Sequence, residues 1–282
     1  MLTLLDVLKR TTDYFRKHGV ENARLDAEWL LAHVLGLGRL DLYLQFERPM
    51  EEAQLVALRP LVKRRAGREP LQYVLGRTEF YGLRLKTDLR ALIPRPETER
   101  LVELVVEKTD SRPARILDLG TGTGALALAL LKQWPEGNAV AVDSSTDALE
   151  LAAENARELG MADRISFLRS DWYQDLDETQ PFDLIVANPP YLTEEEWTTA
   201  APEVREFEPR AALAATGEGR ADLEHIITGA FQRLNHSGLL ALETGINHHD
   251  TLTGHARKTG FSSVESLPDY HDRDRYLFLR KD

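Results

Sequence analysis

Asp118-Leu119-Gly120-Thr121-Gly122-Thr123-Gly124 is the stretch that decides the fold. It follows a short apolar segment at 115–117 and precedes a segment rich in alanine and leucine at 125–133. Glycines allow the backbone to turn tightly and to approach a ligand without a clash from a side chain. The pattern therefore predicts a strand, a ligand-binding turn and a helix, in that order.

Outward from this turn, strand-like and helix-like segments alternate from Ala114 onward. The alternation is typical of an α/β fold, in which a mostly parallel sheet carries helices on both faces. Residues 192–220, rich in Glu, Pro and Ala, predict a long loop. Strands are predicted at 115–117, 139–142, 165–168, 182–187 and 238–242, with two more near Val264 and Tyr276, and helices at 125–133, 147–159, 223–234 and 251–259.

Further site candidates stand where the predicted strands end. Asp143 ends the second strand, about 20 residues after the glycine turn, where a carboxylate can accept from ribose hydroxyls. Asp171 and Trp172 end the third strand, where they can hold an adenine, and Asn188 ends the fourth. Ligands bind at the carboxyl ends of neighbouring strands in open α/β sheets. We therefore expect these residues and Gly120–Gly124 to form one cofactor site.

The glycine spacing by itself leaves two nucleoside cofactors open. Gly120, Gly122 and Ala125 satisfy the dinucleotide fingerprint, so the loop is compatible with NAD. Gly124 adds a third alternate glycine, a form more common with S-adenosylmethionine, which has no pyrophosphate to bind. A nitrogen nucleophile held by Asn188 would suit methyl transfer and would not suit hydride transfer. The combination favours S-adenosylmethionine.

Asn188-Pro189-Pro190-Tyr191 supplies the candidate catalytic and substrate-binding residues. The proline that follows keeps Asn188 extended, and the two prolines stiffen the turn. The Asn188 side-chain oxygen and the Pro189 carbonyl can accept both hydrogens of one planar –NH2 group. Tyr191 can stack on the plane that carries this group. The alternative is a strand that ends in a Pro-Pro turn, with Tyr191 as packing.

The chain before this α/β region has a different character. Apolar residues recur at helical spacing in residues 1–75, which predicts a small helical bundle, with a third helix at 51–66 that Pro60 kinks or splits. Residues 76–96 predict a linker that contains a β-hairpin, and residues 97–282 form the second domain. Five basic residues near the end of the bundle are candidates for docking an acidic partner or for a solvated helix face: Arg59, Lys63, Arg64, Arg65 and Arg68.

Charge separates the same two regions. Residues 1–95 carry 17 Lys and Arg against 12 Asp and Glu, a net charge of +5, whereas residues 96–282 carry 18 against 34, a net charge of −16. The acidic region is poorly suited to binding nucleic acid, because phosphate contacts need Lys and Arg. The chain has no cysteine and no apolar run long enough to span a membrane, so we expect a cytoplasmic protein.

Histidines at 248, 249 and 271 lie next to acidic residues, but their spacing does not match a pair of metal ligands on a helix. We therefore expect no metal site.

The sequence resembles the HemK/PrmC family, the N5-glutamine methyltransferases of peptide-chain release factors. The likeness covers nearly the whole chain, and the segment 93–99 is its most specific part, since the tetrad at 188–191 also occurs in other amino-methyltransferases. It rests on Glu69-Pro70-Leu71-Gln72-Tyr73, Ile93-Pro94-Arg95-Pro96-Glu97-Thr98-Glu99, the Gly120–Gly124 loop, Ser170-Asp171-Trp172 and Asn188-Pro189-Pro190-Tyr191.

The resemblance implies a Rossmann-like class I methyltransferase with a mostly parallel seven-stranded sheet, preceded by a substrate-docking helical domain. It implies S-adenosylmethionine as the methyl donor and the glutamine of the Gly-Gly-Gln motif in class 1 release factors as the acceptor. Two rival interpretations remain at this stage. One is an N-methyltransferase acting on bases of nucleic acid, which the charge of residues 96–282 disfavours; the other is a cofactor-binding scaffold without catalysis, which the intact tetrad at 188–191 disfavours.

Overall fold

The structure is a computed structural model that describes residues 2–109, 111–177, 179–215 and 220–282. Its contacts divide the chain into two compact units. The first comprises the residues up to Arg77 together with Ala201–Phe207, and the second comprises Thr78–Ala200 and Glu208–Asp282. The segment Ala201–Phe207, which we expected in the second domain, therefore belongs by its contacts to the helical unit, and the predicted linker hairpin belongs to the second unit.

The helical unit is built around one apolar core. Leu4, Phe15, Leu30 and Leu31, at helical spacing in the first two helices, are fully buried in it. The first helix begins with a capping box, in which Thr3 and Asp6 satisfy each other's backbone N–H groups. The helices of this unit are α1 (Leu4–Lys17), α2 (Ala23–Leu35), α3 (Glu52–Ala66), α4 (Leu71–Leu75) and, from the later segment, α9 (Pro202–Phe207).

Pro60 lies inside α3, which runs unbroken from Glu52 to Ala66, so of the predicted kink or split the split is wrong. Proline has no N–H for the carbonyl four residues earlier, which belongs to Val56. Val56 is 54% exposed, so water can bind the carbonyl that Pro60 leaves without a partner.

All four arginines of the basic cluster have carboxylate partners within the helical unit, and Arg59, the most exposed of them, binds Glu52 at 3.0 Å. Arg65 is 8% exposed and donates to Asp26 at 2.7 Å and to Glu203 of α9 at 3.0 Å. Arg68 forms a two-point contact with the same Glu203 carboxylate. Arg64 binds Glu69 in the same way. These contacts give the cluster an internal role, and they fix α9 to α3.

The second unit contains a seven-stranded sheet, as predicted. The strands are β3 (Arg115–Leu119), β4 (Asn138–Asp143), β5 (Ile165–Arg169), β6 (Phe182–Ala187), β7 (Leu234–Glu243), β8 (Ser263–Pro268) and β9 (Asp274–Arg280). Five strands run parallel, and the last two pair antiparallel at one edge, in the order β5-β4-β3-β6-β7-β9-β8.

Helices cover both faces of this sheet because adjacent strand residues point to opposite sides. Ile116 lies in the core beneath α5 and α6, whereas its neighbour Leu117 lies in the core beneath α10 and α11. The helices of this unit are α5 (Pro96–Lys108), α6 (Ala125–Gln133), α7 (Thr146–Glu158), α8 (Glu194–Thr199), α10 (Ala221–Arg233) and α11 (His249–Thr259). None of the helices in the described ranges has both the length and the apolarity needed to cross a membrane.

Two shorter features complete the unit. A two-stranded sheet joins β1 (Arg77–Phe80) and β2 (Leu83–Lys86) through Tyr81 and Gly82, which both have positive φ, as tight hairpin turns require. The predicted long loop at 192–220 is instead partly helical, since it holds α8, α9 and a 3-10 turn at Arg210–Ala212. Residues 216–219 of that prediction lie outside the described residues.

Candidate active site

A cavity of about 780 Å³ lies at the carboxyl ends of β3, β4, β5 and β6. Its volume lies within the range of small-molecule sites, roughly 300–1,000 Å³. Residues 90–92 and much of 209–215 line it as well. Of the predicted site residues, the cavity brings together Gly120, Gly122, Asp143, Asp171, Trp172, Asn188 and Pro190.

The glycine loop turns through three residues with positive φ: +70° at Gly120, +55° at Gly122 and +83° at Gly124. A Cβ on Gly124 would lie 3.1 Å from Leu128 and 3.2 Å from Ala152, which is closer than side chains normally pack. Glycine is therefore required there both for the backbone conformation and for the packing of α6 against α7.

Asp118 supports the loop from beneath. It is fully buried and accepts hydrogen bonds from the Thr121 hydroxyl at 2.6 Å and from the Ala127 N–H at 3.2 Å. Burial raises the pKa of Asp118 to about 6. The side chains of Thr121 and Thr123 are buried, and neither of these two predicted cofactor residues lines the cavity.

Asp143 is held by two backbone groups. Its Oδ2 accepts from the Gly122 N–H and its Oδ1 from the Ser145 N–H, both at 2.9 Å. Burial raises the pKa of Asp143, and these N–H groups oppose the rise. Each carboxylate oxygen has a second lone pair, so Asp143 can still accept from hydroxyls of a ligand in the cavity.

Trp172 and Asp171 lie at the end of β5 with different surroundings. Trp172 has φ of +51°, and its indole N–H donates to Asp222 at 3.3 Å. A Cβ placed on Gly120 would lie 3.7 Å from the Trp172 ring, so the ring packs directly beside the glycine loop. Asp171 is exposed and accepts from Gln174 at 3.2 Å. Trp172 thus forms a wall of the cavity, and Asp171 lies at its rim.

Asn188 begins a chain of hydrogen bonds that the sequence analysis missed. Its Nδ2 donates to the Thr98 hydroxyl at 3.0 Å, and Thr98 donates to Glu243 Oε2 at 2.8 Å. The other oxygen of Glu243 accepts from the Tyr191 hydroxyl at 3.3 Å, and Arg275 donates to Tyr191 at 3.1 Å. Three segments of the second unit thereby meet behind the Asn188 carboxamide.

Glu243 is the buried centre of this chain, with 1% of its surface exposed. Burial raises its pKa to about 7, although the hydrogen bond from Thr98 and the charge of Arg275 oppose the rise. Burial also raises the pKa of Tyr191, whose phenol therefore keeps its proton near neutral pH.

The prolines and Tyr191 occupy different environments around Asn188. Pro189 is buried, whereas Pro190 lines the cavity. Tyr191 is half-buried, and the Arg275 guanidinium lies 5.6 Å from its ring centroid. In this structure Tyr191 therefore binds its own neighbours through the hydroxyl and the ring.

Glu208 joins the segment before α5 to the segment that follows α9. It is buried, and it accepts from the Ile93 N–H at 3.1 Å and from the Arg95 side chain. Because the neighbouring residues 90–92 and 209–212 line the cavity, this contact fixes two of its walls. From the sequence we expected a loop at 192–220 and no such contact.

The charges around the cavity are mainly negative. Asp143, Asp171, Glu194 and Asp222 contribute carboxylates, and the lining has two guanidinium groups. Arg90 binds Asp88 and Glu154, and Arg210 binds Glu194. Among the described residues, the cavity therefore offers its cations already paired, which favours a cationic ligand over a pyrophosphate.

His249 has both ring nitrogens engaged within the fold. They lie 2.7 Å from the Thr244 hydroxyl and 2.8 Å from the Ser266 hydroxyl. Burial lowers the pKa of His249, so the neutral ring is favoured. The histidine therefore acts as a bridge between β7, α11 and β8.

Two family descriptions match separate parts of the sequence. Residues 6–76 match the PrmC N-terminal domain, and residues 97–221 match the methyltransferase small domain. Among solved structures, the chain is similar to the hMettl16 catalytic domain in complex with an RNA hairpin, with a TM-score of 0.56 and 19% identity over 79% of this chain and 81% of that one. It is also similar to a Thermus thermophilus 16S rRNA N2 G1207 methyltransferase, with a TM-score of 0.54 and 19% identity over 73% of this chain and 50% of that one. At such identities the likeness establishes the fold.

Curated relatives match over almost the whole length. A release factor glutamine methyltransferase of Rhodopirellula baltica is 38% identical over 99% of this chain and 96% of the relative. That of Geobacter sulfurreducens is 42% identical over 98% of this chain and 95% of the relative. That of Salmonella typhimurium is 42% identical over 90% and 91%. With identity at this level across both units, the chain belongs to the family of release factor glutamine methyltransferases, which use S-adenosylmethionine as methyl donor.

Proposed function

We propose that this protein transfers the methyl group of S-adenosylmethionine to the side-chain amide nitrogen of a glutamine, the one in the Gly-Gly-Gln motif of class 1 peptide-chain release factors. The methylation would modulate translation termination. The observation that carries the proposal is the position of Asn188, whose carboxamide lines the same cavity as Gly120, Gly122 and Asp143. Its Nδ2 is bound to Thr98, so its Oδ1 is available to accept from a substrate amide.

The lining residues fit S-adenosylmethionine. Asp143 would accept from the ribose hydroxyls, Trp172 would pack against the adenine, and the backbone of Gly120–Gly124 would border the ligand. The excess of carboxylates over guanidinium groups around the cavity suits a cationic sulfonium. The same balance argues against NAD, whose anionic pyrophosphate would lie among carboxylates. When bound, S-adenosylmethionine supplies an electrophilic methyl group.

The residues of the tetrad would act by orientation. Asn188 Oδ1 and the Pro189 carbonyl would each accept one hydrogen of the substrate –NH2, which fixes the direction of its nitrogen. Pro190 would border the substrate, and Tyr191 would hold the turn through Glu243 and Arg275. Correct positioning of reacting groups lowers a barrier by about 7–11 kcal/mol at best. The methylated amide can then lose its extra proton to water.

The helical unit is the proposed docking region for the release factor, with residues 1–75 as the docking domain, 76–96 as the connecting segment and 97–282 as the catalytic domain. The match of residues 6–76 to a domain named for this family supports the assignment. The release factor, rather than nucleic acid, is the proposed partner, and the cytoplasm, where translation takes place, is the proposed location. The net charge of −16 on residues 96–282 supports the preference for a protein substrate.

The proposal is tested by incubating the protein with methyl-labelled S-adenosylmethionine and four substrates in parallel. These are a class 1 release factor, the same factor with the motif glutamine changed to alanine, DNA and RNA. We expect label only in the unaltered release factor, at the side-chain nitrogen of that glutamine by mass spectrometry. Label in nucleic acid, or equal label in the alanine variant, would contradict the proposal.

A further inference from the structure

Thr98 lies between Asn188 and Glu243, is hydrogen-bonded to both, and is not among the residues that line the cavity. We propose that Thr98, held by Glu243, is a positioning residue that locks the Asn188 carboxamide with its oxygen towards the cavity and thereby makes the site select an amide over a carboxylate. This inference rests on the proposed function, since it concerns how the same site distinguishes glutamine from glutamate.

The lock follows from the single proton of the Thr98 hydroxyl. Above its pKa of about 7, Glu243 is ionised and can only accept, so its Oε2, 2.8 Å from Thr98 Oγ1, takes this proton. Towards Asn188, Thr98 is then left with lone pairs, which only the Nδ2 group can satisfy. The reversed carboxamide would place Asn188 Oδ1 against those lone pairs. One orientation is therefore favoured, and it directs Oδ1 away from Thr98.

The surroundings hold Thr98 in place. It is the third residue of α5, which begins at Pro96, and it is 5% exposed. The first turn of α5 is fixed to β9 by a hydrogen bond from the Tyr276 hydroxyl to the Glu97 carbonyl at 2.7 Å. The second oxygen of Glu243 accepts from Tyr191, so the carboxylate cannot turn freely. The Thr98 hydroxyl oxygen is therefore a rigid acceptor at a fixed distance from Asn188 Nδ2.

The consequence for specificity comes from the hydrogen-bonding groups of the two side chains. A glutamine –NH2 has two donors, whereas a glutamate carboxylate has acceptors only. When Oδ1 points towards the cavity, Asn188 accepts from the glutamine –NH2 and repels the glutamate carboxylate. A freely turning Asn188 would also present its own –NH2, which a carboxylate can bind. Sites built to bind one polar group discriminate strongly against an analogue that lacks it.

The first experiment compares the wild type with Thr98→Val, which keeps the shape without the hydroxyl, and with Thr98→Ser, which keeps the hydroxyl. Thr259→Val is the matched control, because the Thr259 hydroxyl donates within its own helix, to the His255 carbonyl at 3.0 Å. We measure kcat and KM on the release factor, and inhibition by a factor whose motif glutamine is changed to glutamate. Cofactor affinity, measured by calorimetry, serves as the check on folding.

For Thr98→Val we expect kcat to fall about 10-fold or more, with cofactor affinity unchanged. We also expect inhibition by the glutamate variant to strengthen about 10-fold, because Asn188 can now turn. Thr98→Ser and Thr259→Val should both keep kcat, and the inhibition by the glutamate variant, close to the wild-type values. A Thr98→Val protein that is folded and active, and in which the glutamate variant inhibits no better than in the wild type, would overturn the proposal.

A second measurement needs no release factor. NMR on protein labelled with ¹⁵N-asparagine reports hydrogen exchange at the Asn188 side chain, with assignment by Asn188→Asp. We expect slow exchange of one Nδ2 proton in the wild type and Thr98→Ser, and faster exchange in Thr98→Val. Equal exchange in all three would overturn the lock. A protected amide in a protein that does not methylate release factor would instead overturn the proposed function and leave the lock in place.

Discussion

Gly122 donates its backbone N–H to Asp143 Oδ2 at 2.9 Å, across 21 residues of sequence. The carboxylate proposed to hold the ribose therefore also holds the glycine loop in its turn. This double use makes the effect of an Asp143 substitution larger than the loss of one ligand contact. It also means that affinity and stability must be measured separately.

Asp143→Ala is expected to weaken S-adenosylmethionine binding by about 1.5–3 kcal/mol, the range for hydrogen bonds to charged groups. Calorimetry on folded protein is the measurement. Asp183→Ala is the control, since Asp183 binds backbone N–H groups of Ala114 and Arg115 at the other end of the sheet. That variant should lose stability and keep its affinity. Unchanged affinity in folded Asp143→Ala would remove Asp143 from the cofactor site.

Asn188→Ala is expected to lower kcat by roughly 100-fold or more, about 3 kcal/mol, with cofactor binding largely kept. Asn188→Asp should lie between alanine and the wild type, because its carboxylate still accepts from the substrate –NH2. Single-turnover kinetics on the release factor measures both. Asn235→Ala is the control, since Asn235 also donates its Nδ2 to a side chain, that of Asp183, but lies at the start of β7, at the opposite end of the sheet from the cavity. Near wild-type turnover by Asn188→Ala would show that the tetrad at 188–191 has a structural role and does not hold the substrate amide.

Arg65→Glu is expected to destabilise the helical unit by about 3–5 kcal/mol, because it places a third carboxylate beside Asp26 and Glu203 in a buried site. Arg59→Glu is the control: Arg59 is 66% exposed, so its change should stay within about 0.5 kcal/mol. Urea denaturation measures both. Equal midpoints for the two variants would show that Arg65 acts at the surface.

Because of these ion pairs, charge reversal in the basic cluster tests both docking of the release factor and the stability of the helical unit. Reversing Arg64, Arg65 and Arg68 should raise KM for the release factor at low salt, yet two of these arginines also hold Glu203. Lys63→Glu, at an exposed position, changes the charge without breaking such a pair. A KM that stays constant in Lys63→Glu and in Arg64→Glu at low salt would exclude docking through this cluster.

Glu243→Gln is expected to change how stability depends on pH. The folded pKa of Glu243 is about 7, above its ordinary value of 4.5, so the folded state binds the proton more tightly and loses stability as pH rises through this window. The glutamine cannot titrate. Between pH 5 and pH 8, the wild type should therefore lose about 1–3 kcal/mol more than the variant. Asp118 titrates in both proteins, so its contribution cancels. If the free energy of unfolding changed with pH in the same way in both proteins, a raised pKa at Glu243 would be excluded.

Local patterns predicted the sheet and the cavity because both depend on short-range features of the chain. Gly120, Asp143 and Asn188 each follow an apolar run, and the parallel arrangement brings strand ends together. Thr98 lies 90 residues from Asn188, and no periodicity links the two. Glu243 did carry a signal, since it ends the apolar strand β7 beside β6, and the rule applied to Asp143 would have found it.

The helices within 192–220 were not predicted, because the loop was inferred from the content of Glu, Pro and Ala and the helix-capping pattern was not considered. Thr193 and Glu196 form a capping box, which is visible as Thr-Glu-Glu-Glu in the sequence, and α8 begins there. The place of α9 could not be read locally. Its attachment depends on Arg65 and Arg68, which lie 138 and 135 residues earlier than Glu203.

That attachment has a consequence for synthesis on the ribosome. The helical unit emerges first, but its arginines gain the Glu203 carboxylate only after more than 130 further residues have been made. Until then Arg65 faces a single acidic neighbour, Asp26, and the nascent bundle lacks its last helix. Early folding of this unit therefore buries its apolar core before those ion pairs exist, and α9 is attached later. A fragment that stops at Arg77 would correspond to this stage, with the core residues present and the Glu203 carboxylate missing.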